Sequence, residues 1–146
     1  SSADIQWSML MWINFRLAKD APLDEILQFY KTNPSTQESA LLQEKLGDIY
    51  KSKGKVIDSL TPYTKALKLT MPPLQKLRLS LKVAPLLSAM GRAEQAYALY
   101  QDVLRDYPNY AGKRDLYERL SRVAMTMKRM DEAAEFTRLA REQPEI

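Results

Sequence analysis

The feature that most constrains this chain is a match to itself at an offset of 37 residues. Sliding the sequence along itself aligns Leu46 with Val83 and Leu120, Gly47 with Ala84 and Ser121, and Ser59 with Ala96 and Ala133. The same offset takes Tyr63 to Tyr100 and then Thr137, Ala66 to Val103 and Ala140, and Gly54 to Gly91 and Lys128. Columns that hold one size class over three copies identify an internal repeat, in which each unit buries its apolar face only against its neighbours. The small columns have a mechanical reading, because two helices approach closely only where a side chain is tiny. Gly54 and Gly91 punctuate instead, each ending a helix at positive φ without steric cost.

The apolar spacing is helical. Leu116, Leu120, Val123, Ala124 and Met127 follow the 3.6-residue template, as do Ala96, Leu99, Tyr100, Val103 and Leu104. Pro34, Pro72 with Pro73, Pro108 and Pro144 stand where the chain must turn after a helix. "STQE" at 35–38 has the spacing of a capping box for the helix that follows, and Pro62 inside a helix predicts a kink. The pattern predicts helices over 3–19, 22–32, 37–53, 56–69, 73–90, 93–106, 113–127 and 131–142. These make four antiparallel hairpins without a strand.

"LGDIY" at 46–50, Gly54, Tyr63, Ala66 and Pro72 form one repeat. Ala84, Leu87, Gly91, Ala96, Tyr100, Val103, Leu104 and Pro108 form the second, and Tyr117, Leu120, Ser121, Ala124, Ala133 and Ala140 the third. This pattern resembles the tetratricopeptide repeat, although that family has a period of about 34. Lys128 and Thr137 depart from its turn glycine and its aromatic. The resemblance implies an all-α, right-handed helical solenoid of antiparallel helix hairpins. It also implies an N-terminal degenerate or capping hairpin over 1–36 and three repeats over 37–146, at about 40–76, 77–113 and 114–146. The implied function is a non-catalytic protein–protein interaction or scaffold module that holds a peptide or helical segment in a groove lined by first helices. A second reading is a structural helical arm of a larger enzyme or cell-envelope assembly, since "RLAKDAPLDEILQFYKTNP" resembles hairpins in the arms of soluble lytic transglycosylases.

Residue usage excludes several chemistries. The 146 residues contain no histidine and no cysteine, which removes Ser/His/Asp and Cys/His catalysis, His-rich metal sites and disulfides. Asp24 with Glu25, and Asp131 with Glu132, fall at helix starts, where the helix dipole explains them. Four glycines are too few for a phosphate-cradling loop beside the two turn positions. No catalytic residue, cofactor or metal is therefore expected. The longest apolar run, "MLMWI" at 9–13, is too short to span a bilayer.

Charge is concentrated. The net value is +4, but residues 43–92 alone carry +7. The family pattern places Lys45, with Glu44 and Asp48, on the groove in one repeat, Arg78 and Lys82 in the next, and Arg119 and Arg122, with Asp115 and Glu118, in the third. Arg78 with Lys82, and Arg119 with Arg122, have spacings that put each pair on one helix face. The expected partner is another protein with an acidic or carboxylate-bearing segment; a solvated helix face is the plain alternative. A clamp for a C-terminal carboxylate of the kind some relatives of this repeat use is disfavoured, because Glu44, Asp48 and Asp115 stand where amides or cations are needed. Nucleic acid is disfavoured by the small net charge and the absence of a recognised module. The first helix is apolar nearly all round, with Trp7, Met9, Leu10, Met11, Trp12, Ile13 and Phe15. Either Trp7 and Trp12 pack on the hairpin at 22–53, or the chain self-associates and one of them lies in the contact. Neither end of the repeat array looks sealed, as in a piece of a longer chain.

Overall fold

The computed structural model describes residues 1–144, and among them the chain is all-helical. The described residues form two compact units, one over Ser1–Pro72 and one from Pro73 onward. The first holds α1 (Ser2–Ala18), α2 (Leu23–Thr32), a short 3-10 helix (Pro34–Glu38), α3 (Ala40–Ser52) and α4 (Val56–Leu67). The second holds α5 (Pro73–Ala89), α6 (Ala93–Asp106), α7 (Lys113–Thr126) and α8 (Met130–Glu142). The α4 helix runs through Pro62, and α5 runs through Pro85.

In the first unit Ile13, Ile26, Tyr30, Leu42, Leu46 and Ile49 bury one another. The Tyr30 hydroxyl donates to the Leu42 carbonyl at 2.5 Å, so this buried phenol is satisfied, and burial pushes its pKa well above the ordinary value. Arg16 and Glu25 tie α1 to α2 through two hydrogen bonds of 2.7 and 2.8 Å. The capping box at 35–38 does not form. Pro34 opens a 3-10 turn whose buried Thr36 donates to the Asn33 and Tyr30 carbonyls at 2.8 and 3.2 Å. Those residues are thereby committed to the turn, and Ser39 becomes the N-cap of α3, accepting from the Leu42 amide at 3.1 Å.

The columns that the 37-residue offset aligns within helices are buried in every copy except Thr137, which is half-buried, while the turn column of Gly54, Gly91 and Lys128 is exposed. Glycine at 47 has a direct cause: a Cβ there would lie 2.5 Å from the ring of the fully buried Tyr63. In the second unit Ala84, Tyr97, Tyr100, Val103, Leu116, Leu120 and Val123 belong to one core.

Four turns share one geometry. Asp20, Gly54, Gly91 and Lys128 have φ of 59°, 76°, 78° and 61°. After each, the next amide reaches back to a carbonyl five residues earlier: Ala21 to Arg16 at 3.0 Å, Lys55 to Tyr50 at 2.9 Å, Arg92 to Leu87 at 2.8 Å, and Arg129 to Ala124 at 2.8 Å. This is the left-handed helix stop that closes the last orphan carbonyls. Lys128 therefore occupies the conformation of its glycine counterparts despite its side chain, and Asp20 does so in the hairpin that lacks the repeat motif.

Candidate partner-binding surface

Lys45 lies half-buried on α3 of the first unit, beside two carboxylates. Glu44 is 6% exposed, and Asp48 accepts a hydrogen bond from the Tyr63 hydroxyl. Burial first, and then this bond, push the Tyr63 pKa far up. The acid on this turn is thus part of the hairpin's own packing.

The other four expected cations all fall in the second unit. Arg78 and Lys82 sit one turn apart on α5, the first exposed and the second half-buried. Arg119 and Arg122 of α7 line a cleft of 280 Å³ with Pro85 and Ser88 of α5 and Tyr100 of α6. Arg119 is engaged inside the chain: its Nε donates to Asp115 at 2.7 Å and its Nη1 to the Tyr100 hydroxyl at 3.4 Å. The Tyr100 bond first, with Asp115 assisting, raises the Arg119 pKa and keeps the guanidinium charged. Arg119 is a fixed wall of the cleft, whereas Arg122 is exposed beside it.

Arg122 also borders a second cleft, of 330 Å³, shared with Arg114, Glu118 and Ser121 of α7 and Thr137 and Arg141 of α8. Arg114 pairs with Glu118 at 3.6 Å. Arg122 therefore stands between two clefts, one walled by Arg119 and the other by Arg114 and Arg141. Arg114 and Arg141 were missing from the expected set. The i, i+4, i+8 spacing of Arg114, Glu118 and Arg122 could have signalled the first; Arg141 joins only because α8 packs on α7.

A larger cleft, of 540 Å³, contains none of the expected residues. Its Tyr97 donates to Glu132, while Arg129 lies 5.3 Å over the Tyr97 ring and donates to Glu94 at 2.9 and 3.1 Å. Burial, followed by the Glu132 contact, pushes Tyr97 up to about 12. This cleft is acidic, and its arginine is already used between α6 and α8. No described helix is long and apolar enough to cross a membrane. No protein-family model matches the chain, and no curated protein matches it.

Proposed function

We propose that the chain is a tetratricopeptide-like right-handed helical solenoid that serves as a non-catalytic interaction or scaffold module, holding an acidic segment of a protein partner on its α7 surface. The observation that carries this reading is the placement of exposed Arg122 between two clefts walled by further arginines. A guanidinium presents a planar fork to a carboxylate, and fixed neighbouring cations lower the cost of holding that charge near the surface. Arg119 contributes by position, since its charge is held by Tyr100 and Asp115. Arg78 and Lys82 of α5 are further cations of the same unit in this proposal, whereas Lys45 belongs to the other unit and is not part of this surface.

The test is a random-peptide display library panned against the 146-residue chain. Enrichment of peptides rich in Asp and Glu, abolished by Arg122→Glu with Arg141→Glu and weakened by added salt, supports the reading. Both side chains belong to the α7–α8 surface, so the helical circular dichroism signal of the double variant should persist. Enrichment that survives both reversals, or no acidic preference at all, sinks the proposal.

A further inference from the structure

The exposed face of α1 is the strongest unpartnered surface among the described residues. Ile13 alone of this helix is fully buried, while Ile5, Trp7, Met11, Trp12 and Phe15 are 55%, 57%, 69%, 39% and 58% exposed. Only Trp12 finds an aromatic neighbour, stacking on Phe29 of α2 with centroids 4.3 Å apart. Scattered apolar residues on a surface need no explanation, but a contiguous strip on one helix marks an interaction site.

The strip also carries a charge and size pattern. Asp4, Ser8, Met11 and Phe15 follow one another at i, i+4, i+7 and i+11, the spacing of a helix–helix seam, and all four are exposed. Ile5 and Trp12 flank the seam on one side and Trp7 on the other. Asp4 is at one end with its side chain 85% exposed. Lys19 is at the other, its Nζ 5.7 Å from the centroid of the Phe15 ring and so on the same face.

We propose that this face is a two-fold interface, in which α1 packs antiparallel on α1 of a second copy about a centre near Met11 and Trp12. In that register Asp4 meets Lys19 of the other copy at each end. Small Ser8 lies opposite Phe15, giving the ring a space to enter, and Met11 packs near the axis. The face is self-complementary, which is what an isologous contact requires, and each ion pair forms twice. A parallel pairing instead sets Asp4 against Asp4 and Phe15 against Phe15, placing like charges together and leaving Ser8 facing Ser8. The five large apolar residues are 39–69% exposed, so covering each removes roughly half of the 150–250 Å² that a wholly buried aromatic contributes, and the two strips together bury on the order of 1,000 Å², where specific interfaces begin. This inference does not rest on the α7 surface.

Sedimentation equilibrium on the full 146-residue chain tests it, aided by the absence of native cysteine. The expected result is a dimer whose dissociation constant rises at least about tenfold in Met11→Glu, with helical content unchanged because Met11 is exposed. Lys19→Asp should weaken the dimer, and adding Asp4→Lys should restore it. Met11→Cys should form a disulfide-linked dimer on mild oxidation, whereas Asp4→Cys should cross-link only when mixed with Lys19→Cys. A monomer at high micromolar concentration, a dimer indifferent to Met11→Glu, or efficient Asp4→Cys self-cross-linking overturns the proposal. Peptide panning on the α7 surface is read separately, so either proposal can fail alone.

Discussion

Two hairpins solve the same contact in different ways. Where α3 meets α4, a glycine at 47 lets the ring of Tyr63 lie on the helix backbone, and the phenol donates to Asp48. Where α7 meets α8, the positions aligned by the repeat are Ser121 and Thr137. Ser121 Oγ lies 2.9 Å from the Ala133 carbonyl and 2.8 Å from Thr137 Oγ1. One pair combines no side chain with a large one; the other combines two small polar side chains and satisfies both by hydrogen bonding. The residues at the two positions are matched to each other, so neither column can be read alone.

The largest effect should come from breaking the first pair. Gly47→Ala places a methyl against a ring that is fully buried, and should cost on the order of 1–3 kcal/mol by urea denaturation. Gly47→Ser combined with Tyr63→Thr, which imports the α7–α8 solution, should recover part of the loss suffered by Gly47→Ser alone. Failure of any recovery would show that the two columns are independent.

Next comes the phenol. Tyr63→Phe removes a hydrogen bond to a carboxylate and should cost about 1.5–3 kcal/mol at neutral pH. The folded chain holds the Tyr63 proton more tightly than the unfolded chain, whose phenol titrates near 10. Its contribution is therefore intact below pH 10 and is lost as the pH rises beyond it; Tyr97 follows the same course up to about 12. Tyr63→Phe should flatten the alkaline fall in melting temperature, while Ser121→Ala should leave it unchanged, because the α7–α8 pair has no titrating group.

Ser121→Ala should cost about 1 kcal/mol, the value of one hydrogen bond, with Thr137 keeping its own bond of 3.0 Å to the Ala133 carbonyl. The smallest change should be a gain. Lys128→Gly relieves a left-handed backbone at φ 61° and should stabilise by up to about 1 kcal/mol, whereas Gly54→Lys should destabilise by a similar amount. Equal and opposite shifts in urea midpoint would establish that the four turns are one device with different residues; no shift for Lys128→Gly would show that its side chain compensates in place.

The helices were legible because their evidence is local. Leu116, Leu120 and Val123 recur at the helical period, Gly54 and Gly91 mark the stops, and the offset carried the same stop to Lys128 although its residue type argues against it. The capping box was misread for a related reason. "STQE" has the right spacing, but Pro34 and the buried hydroxyl of Thr36 draw those residues into a 3-10 turn. Spacing along the chain cannot register a hydrogen bond to the carbonyl of Tyr30, which belongs to the preceding helix.

The candidate surface was only half legible. Arg119 and Arg122 were expected as an equivalent pair from their separation on one helix. Packing makes them different, because Tyr100 of α6 and Asp115 engage Arg119 while Arg122 remains exposed between two clefts. Arg141 could not be placed with them from sequence, since it lies 19 residues away on the next helix.

Sequence alone determined where most of the described helices of this protein run and where they stop, apart from the 3-10 turn at Pro34–Glu38 that delays the start of α3 to Ala40, because helical period, proline positions and left-handed turns act over a few residues. Tertiary structure decided which cation is fixed and which is exposed, that Gly47 lies under Tyr63, and that α1 buries Ile13 while Met11 faces outward. The physical reason is rotation: a helix can turn about its axis without changing any local interaction, and only packing against its neighbours selects the face that each side chain presents.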